Sequence, residues 1–125
     1  MLEKIYAKDG PKPVGPYSPA IRANGFIFVS GQGPIDPRTS EINRGPIPDQ
    51  VRQTLDNIKA ILEAAGSSMD KIVKSNVYLA DISNFEIMNE AYSAYFGDHK
   101  PARTTIQAGA LPKRIDVEVE VIALE

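Results

Sequence analysis

The segment PARTTIQAGALPKRIDVEVE, residues 101–120, decides how this chain folds. It predicts two strands around a Leu-Pro-Lys-Arg turn, with Arg103 at the start of the first strand. In the second strand, period-two alternation puts aliphatic side chains on one face and acidic side chains on the other. The aliphatic set is Ile115, Val117, Val119 and Val121, and the acidic set is Asp116, Glu118 and Glu120. The segment is therefore either a site for a small anionic molecule or a solvated hairpin.

Length and composition predict a single domain spanning residues 1–125. A chain of this size buries roughly two-thirds of the surface of its unfolded form, which is enough for one hydrophobic core. Apolar residues make up 42% of the sequence and charged residues 24%, as in ordinary globular proteins. The formal net charge is −2, so the chain lacks the basic surface that binds nucleic-acid phosphates.

Several classes of site are excluded by residues that the sequence lacks. There are no cysteines, which excludes disulfides, thiolate metal sites and cysteine nucleophiles. The single histidine, His99, has no nucleophile motif near it and is expected in a solvated loop. With one histidine and no EF-hand spacing of carboxylates, no metal site is predicted. We read no signal peptide and no membrane span, so a cytoplasmic protein is expected.

The N-terminal third predicts strands joined by an ordered loop. Residues 2–7 are expected to form a short edge strand. Residues 10–19 contain four prolines and predict a loop in which Tyr17 is the one large side chain. Tyr17 is more simply a packing anchor than a site residue. Asn24-Gly25 predicts the tight turn of a hairpin.

The strand after this turn is expected to be covered on both sides. Phe26–Val29 is apolar on both faces, which predicts burial of both. It leads into Ser30–Pro34, whose glycines would let backbone N–H groups approach a ligand closely. A tight strand exit is the simpler alternative. Residues 36–46 are rich in turn formers, with room for a short hairpin around Glu41-Ile42.

The middle of the chain predicts a helix and a strand. Apolar residues recur at helical spacing across Asp49–Ala65, Gly66 stands where a helix commonly ends, and Asp49 is the expected N-cap. Residues 72–80 predict a strand, with Val73, Val77 and Leu79 on one face.

A second helix is predicted over residues 84–96. Ser83–Glu86 has the spacing of a capping box, which would open this helix. Asn89 lies at the edge of the helix's apolar stripe, where an amide buried at an interface would need hydrogen-bond partners.

The element order β-β-(β)-α-β-α-β-β predicts an α+β fold, a mixed sheet with two helices packed on one face. Two helices cannot cover both faces of such a sheet. The doubly apolar strand Phe26–Val29 needs a second cover, so we infer an oligomer that buries the open sheet face.

Six stretches of the sequence together resemble the family of reactive-intermediate (enamine/imine) deaminases, also called the RidA or YjgF/YER057c/UK114 family. The resemblance runs over nearly the whole chain. It rests most on Pro101-Ala102-Arg103 and its spacing, across Leu111-Pro112, to Val117-Glu118-Val119-Glu120. The other stretches are residues 15–20, 28–32, 53–58, 62–66 and 88–92. It implies a chorismate-mutase-like domain that forms a homotrimer, with active sites between subunits and no cofactor.

The resemblance also implies the two central site residues. Arg103 matches the arginine that binds the substrate carboxylate, and Glu118 matches the glutamate that positions or activates water. Alternation alone does not separate Glu118 from Glu120, so this choice rests on the family spacing.

Five further positions match residues that contact the ligand. Gly31, after Ser30, matches a backbone N–H donor, and Tyr17 and Asn89 match residues that line the pocket. Thr105 stands where the family offers a backbone carbonyl, often from a cysteine or serine.

The implied reaction is hydrolysis of 2-imino acids or their enamine tautomers, such as 2-iminobutanoate and 2-iminopropanoate, to 2-oxo acids and ammonia. This activity would protect enzymes that use pyridoxal phosphate from damage. One alternative is a non-enzymatic trimer that binds small carboxylates or keto acids as a regulator or holdase. A second alternative, a single-strand ribonuclease or translation inhibitor, is disfavoured by the acidic charge balance.

Overall fold

The sheet is built around its C-terminal strand. The computed structural model describes residues 2–125, in which six strands form one sheet in the order β1-β2-β3-β6-β4-β5. The strands are β1 (Glu3–Ile5), β2 (Ala20–Ala23), β3 (Phe26–Gln32), β4 (Ile72–Leu79), β5 (Ala102–Gln107) and β6 (Val117–Leu124). The helices, α1 (Ile47–Ala64) and α2 (Phe85–Phe96), pack on one face. The predicted mixed sheet with two helices is confirmed.

The predicted alternation in β6 is also confirmed. Val117, Val119 and Val121 are buried in the core beneath the helices, whereas Glu118 and Glu120 point to the opposite face and are half-buried. Because β6 lies between β3 and β4, both of its edges are hydrogen-bonded. Strand β6 is therefore an interior strand of the sheet, with its valines in the core and its glutamates on the open face.

The interpretation of residues 101–120 as a hairpin is wrong. Strand β4 lies between β5 and β6, pairing parallel with β5 and antiparallel with β6. The segment 108–116 crosses the end of β4 instead of closing a tight turn. Alternation fixes which side of a strand faces the core, but it does not identify the neighbouring strand.

Helix α1 begins two residues earlier than predicted, and Asp49 is not its cap. Pro46 is the N-cap residue, and Pro48 lies in the first turn, where its missing N–H costs nothing. Gly66 ends the helix as predicted, with a φ of 81°. Its N–H donates to the Glu63 carbonyl at 3.0 Å, and the Ser67 N–H donates to Leu62 at 2.8 Å.

The predicted capping box of α2 is absent. The Asp81 carboxylate instead accepts the Ser83 N–H at 2.9 Å and caps a short 3-10 turn, Ile82–Asn84, that leads into the helix. Asp is at least as good a cap as Ser, and it lies two residues earlier. Neither helix in residues 2–125 is both long and apolar enough to cross a membrane.

A bulge in β4 overturns the predicted face of that strand. The register with β6 shifts between Ile72 and Lys74, so Val73 is the extra residue. Val73 is 39% exposed, and Ile72 takes its place in the core beside Val77 and Leu79. A single inserted residue reverses the side-chain alternation, which a strict period-two pattern does not anticipate.

Strand β3 is covered on one face only. Ile27 and Val29 are buried under the helices, but Phe26 and Phe28 are 36% and 44% exposed, so burial of both faces is wrong for the single chain. On the open face, Phe26 pairs with Leu124 and Phe28 with Ile122. The aromatic and aliphatic strip they form fits the inferred contact with another copy, which stays a prediction.

A buried amide in α1 holds the chain that leaves β3. The Asn57 side chain, 1% exposed, donates to the carbonyl of Gly33 at 3.1 Å and to that of Ile35 at 2.8 Å. Its oxygen accepts from Gln53 at 3.1 Å. Both backbone carbonyls would lack these partners without the amide, so Asn57 fixes the course of the segment beside Gly31.

We expect Asn57→Ala to destabilise the protein by on the order of 2–4 kcal/mol, because it removes the side-chain hydrogen bonds to the Gly33 and Ile35 carbonyls and opens a small cavity. Urea unfolding at one fixed protein concentration measures this loss. Lys59→Ala, an exposed change on the same helix, is the control. A loss no larger than the control's would contradict the role of Asn57.

Candidate active site

The sequence-predicted site residues separate into two groups on opposite faces of the sheet. In the register, Arg103 lies beside Ser75 on β4, and Ser75 is buried beneath the helices. Glu118 lies beside Tyr78, which points the other way. Residues paired across neighbouring strands share a face. The Arg103 and Glu118 side chains of one chain therefore leave the sheet in opposite directions.

Arg103 forms the first group with residues of α2. Its Nη2 donates to the Asn89 side-chain oxygen at 2.7 Å. The guanidinium carbon lies 4.8 Å from the centre of the Tyr92 ring and 5.7 Å from that of Phe85, so the cation is held by aromatic faces. In residues 2–125, no carboxylate lies within ion-pair distance of Arg103.

A cavity of about 280 Å³ lies beside this group. Asn89, Tyr92 and Arg103 line it, together with Pro101 at the start of β5 and His99. A half-buried guanidinium with free N–H donors and no acidic partner is suited to bind an anion, and its planar fork matches a carboxylate.

Thr105 lies two residues along β5, on the same side as Arg103. Its hydroxyl oxygen is buried and has no hydrogen-bond partner in the described part of the chain. The side chain therefore adds no polar contact in the single chain. The prediction that Thr105 acts through its backbone carbonyl does not require this hydroxyl.

Glu118 forms the second group with Gly31, Ser30 and Tyr17. These residues line a cavity of about 270 Å³ on the open side of the sheet. A β-carbon on Gly31 would lie 2.6 Å from the Oε2 atom of Glu118, so any larger residue there would displace the carboxylate from its present position. The Ser30 hydroxyl donates to the Ser18 carbonyl at 2.7 Å and ties the cavity to the proline-rich loop.

A bulge in β3 brings Gly31 to the carboxylate. The register of β3 with β6 shifts between Val29 and Gln32, so Ser30 and Gly31 together face one residue of β6. The expected tight strand exit is thus a bulge inside the strand. Bulges are common beside functional sites because they redirect a short piece of backbone.

The two acidic side chains of β6 differ in their surroundings. Glu120 accepts hydrogen bonds from the Tyr78 hydroxyl and from Asn76 Nδ2, the latter at 3.2 Å. The bond to Glu120 raises the pKa of Tyr78 to about 12. Glu118 accepts no hydrogen bond within residues 2–125. Burial, and secondarily the charge of Glu120, raise the pKa of Glu118. Of these two carboxylates, Glu118 is thus the one with a raised pKa and without a hydrogen-bond donor in the described residues.

His99 differs from its prediction. Its Nε2 is hydrogen-bonded to the Ile72 carbonyl at 2.8 Å and the side chain is half-buried, so it is not a solvated loop histidine. The sequence reasoning also missed Tyr92 and Phe85 as partners of Arg103. Their helical spacing to Asn89 was the available signal, because residues three or four apart share one helix face.

Comparisons with known proteins extend over nearly the whole chain. A family model described as Endoribonuclease L-PSP matches residues 7–125. A RutC family protein of Pyrococcus horikoshii is 54% identical over 98% of this chain and 98% of its own.

Two solved structures have the same fold. RidA from the Antarctic bacterium Psychrobacter has a TM-score of 0.94 at 41% identity, covering 98% of this chain and 99% of its own. TdcF from E. coli with bound serine has a TM-score of 0.93 at 36% identity, covering 98% of each.

We expect Thr105→Val to raise stability by about 1 kcal/mol, because it removes a buried hydroxyl that has no partner. Thr54→Val is the matched control, since that buried hydroxyl donates to the Gln50 carbonyl at 2.8 Å, and we expect it to lower stability. Chemical denaturation measures both. A loss of stability in Thr105→Val would contradict the unpaired state of its hydroxyl.

The raised pKa of Glu118 predicts a pH-dependent effect on stability. Folding disfavours the ionised form of Glu118. The wild-type protein therefore loses no stability from this group below the ordinary pKa of 4.5, and it loses stability as the pH rises through the raised pKa of the folded state. We expect the thermal midpoint of Glu118→Gln to match wild type near about pH 4 and to exceed it near about pH 8. Glu90→Gln, on the exposed side of α2, is the control. A gain no larger than that control's would contradict the assignment.

Proposed function

Because the chain belongs to the Endoribonuclease L-PSP family, also known as RidA or YjgF/YER057c/UK114, with the RutC family proteins among its relatives, we propose that it hydrolyses 2-imino acids. The substrates are small imines such as 2-iminobutanoate and 2-iminopropanoate, or their enamine tautomers. The products are 2-oxo acids and ammonia. By removing these reactive compounds, the protein protects enzymes that use pyridoxal phosphate.

The observation that carries the proposal is the state of Arg103. Asn89 and two aromatic rings hold its guanidinium without an acidic partner, so a substrate carboxylate can take that place. The bound serine of TdcF supports this reading, since serine carries the same α-carboxylate as a 2-imino acid.

The reaction needs one water and one proton acceptor. Glu118 takes a proton as the water oxygen adds to the protonated imine carbon, and a carbinolamine forms. The proton then passes from Glu118 to the amine, the carbinolamine hydroxyl gives its own proton to Glu118, and the C–N bond breaks so that ammonia leaves as the C=O bond forms. A carboxylate with a raised pKa is a stronger base for the first step.

The other predicted residues hold the substrate in place. The backbone carbonyl of Thr105 accepts a hydrogen bond from the N–H of the protonated imine. The Gly31 N–H, with Ser30 and Tyr17, contacts the substrate from the opposite wall of the site. The chemistry requires no cofactor, because positioning and electrostatics supply the rate enhancement.

The site lies between two copies of the chain. Arg103 and Glu118 leave the sheet on opposite faces, so one copy contributes the Arg103 group and its neighbour contributes the Glu118 group. We propose a homotrimer of the chorismate-mutase-like kind, which closes three such sites. The exposed strip on β3 and β6 is the surface buried in this assembly.

Two alternatives lead to different observations. A regulator that binds keto acids would use the Arg103 group but would not depend on Glu118. An RNA-cleaving activity is named by the family model. Such an activity would have to bind RNA on a chain whose net charge is −2. The one histidine, His99, is already hydrogen-bonded to the Ile72 carbonyl.

We expect Arg103→Ala to lower kcat/KM for imine hydrolysis by roughly 30- to 1,000-fold, since a charged hydrogen-bonding partner of the substrate contributes about 2–4 kcal/mol. Threonine dehydratase supplies 2-iminobutanoate, and semicarbazide traps the imine that escapes hydrolysis. Arg38→Ala, on the exposed connection before α1, is the control.

Three outcomes decide between the functions. Undiminished semicarbazide trapping with wild type would overturn imine hydrolysis. Full activity in Arg103→Ala would overturn the carboxylate anchor. Cleavage of a single-stranded RNA that survives in both Arg103→Ala and Glu118→Gln would place that activity outside this site.

A further inference from the structure

The turn that leads into β6 has a strained backbone. Lys113 and Arg114 are consecutive and have φ values of 58° and 54°, in the left-handed region that favours glycine. Non-glycine residues visit this region as isolated positions, because the β-carbon approaches the following carbonyl. Two in succession persist only where surrounding contacts hold them, and such strain concentrates at functional sites.

Arg44 supplies the contacts that hold this turn. Its Nη2 donates to the Lys113 carbonyl at 2.9 Å, and its Nη1 donates to the Arg114 carbonyl at 3.1 Å. One planar guanidinium thus binds the carbonyls of both strained residues. These are the only side-chain hydrogen bonds to the two carbonyls in the described part of the chain.

The segment that carries Arg44 is itself fixed to α1. The Gln50 side chain is 1% exposed and donates to the Gly45 carbonyl at 2.8 Å. The same amide nitrogen donates to the Asp116 carboxylate at 2.9 Å. Gln50 therefore connects the segment holding Arg44 to the residue just before β6.

The turn that Arg44 stabilises forms part of the wall of the cavity that Glu118 lines. Pro112 and Lys113 line that cavity together with Gly31 and Glu118, whereas Arg114 does not. The strained turn and the Glu118 carboxylate therefore line the same cavity. If the turn relaxed to an ordinary backbone, Pro112 and Lys113 would move relative to Glu118.

We propose that Arg44 is a positioning residue for the Glu118 half of the site. By binding the Lys113 and Arg114 carbonyls, it keeps a strained turn in the shape that places Pro112 and Lys113 in the cavity wall. Arg44 touches no reacting atom. The inference rests on the proposed imine hydrolysis for its catalytic readout, but the geometry of the turn is independent of that activity.

The test uses glycine to remove the strain. We expect Arg44→Ala to lower kcat/KM for 2-iminobutanoate by about 10- to 100-fold, as displacement of a site wall by about 1 Å can do. Adding Arg114→Gly makes the left-handed backbone conformation accessible at this position without the Arg44 hydrogen bonds. We therefore expect the double variant Arg44→Ala/Arg114→Gly to recover most of the loss.

Ser40→Gly is the matched control for this rescue. Ser40 also has a positive φ, 64°, but it lies outside the cavity lining. Glycine there relieves comparable strain, so Arg44→Ala/Ser40→Gly should stay as impaired as Arg44→Ala. Equal recovery in both double variants, or recovery in neither, would overturn the positioning role. Thermal midpoints of all variants show whether lost activity merely follows lost stability.

A second readout separates this inference from the proposed function. If wild type hydrolyses no imine, the proposed function fails, and the same variants are then compared by calorimetric binding of 2-oxobutanoate. Weaker binding in Arg44→Ala with recovery by Arg114→Gly would uphold the positioning role on its own. Unchanged binding across the set would overturn it.

Discussion

The side-chain alternation of the paired sheet determines where the candidate site residues lie. Arg103 shares a face with Ser75 beneath the helices, and Glu118 shares the opposite face with Tyr78. Their directions are fixed by strand register, which no side-chain rotation reverses. A site that uses both residues must therefore be completed by a second copy. The exposed strip around Phe28, which the helices leave uncovered, supplies a surface for that copy.

Each half of the site is held by its own part of the fold. Helix α2 surrounds the Arg103 guanidinium with an amide oxygen and two rings, which orient the cation without neutralising it. The bulge at Ser30–Gly31 brings backbone against Glu118, while Tyr78 and Asn76 hold Glu120 through hydrogen bonds. The two acids of β6 thus have different hydrogen-bonding surroundings although they share one face. Glu120 is fixed by hydrogen bonds from Tyr78 and Asn76, whereas the Glu118 oxygens accept no hydrogen bond within residues 2–125.

Features that depend on local periodicity could be predicted from the sequence, and features that depend on neighbours could not. The alternation of β6, the turn at Asn24-Gly25 and the helix end at Gly66 follow from short-range geometry, and the structure contains all three. The bulge at Val73 and the insertion of β4 between β5 and β6 depend on pairing across the sheet. For the site, the resemblance supplied the residues, but only the register shows that they divide between two faces.

Mixing two impaired variants tests the shared site most directly. Arg103→Ala and Glu118→Gln chains, each first measured alone for its residual activity, are unfolded together and refolded at equal concentration. If each site takes Arg103 from one chain and Glu118 from its neighbour, about one quarter of the sites in a random trimer carry both residues. We therefore expect about one quarter of wild-type imine hydrolysis in the mixture. No recovery of activity, with mixed trimers confirmed by native mass spectrometry, would contradict a site built from two chains.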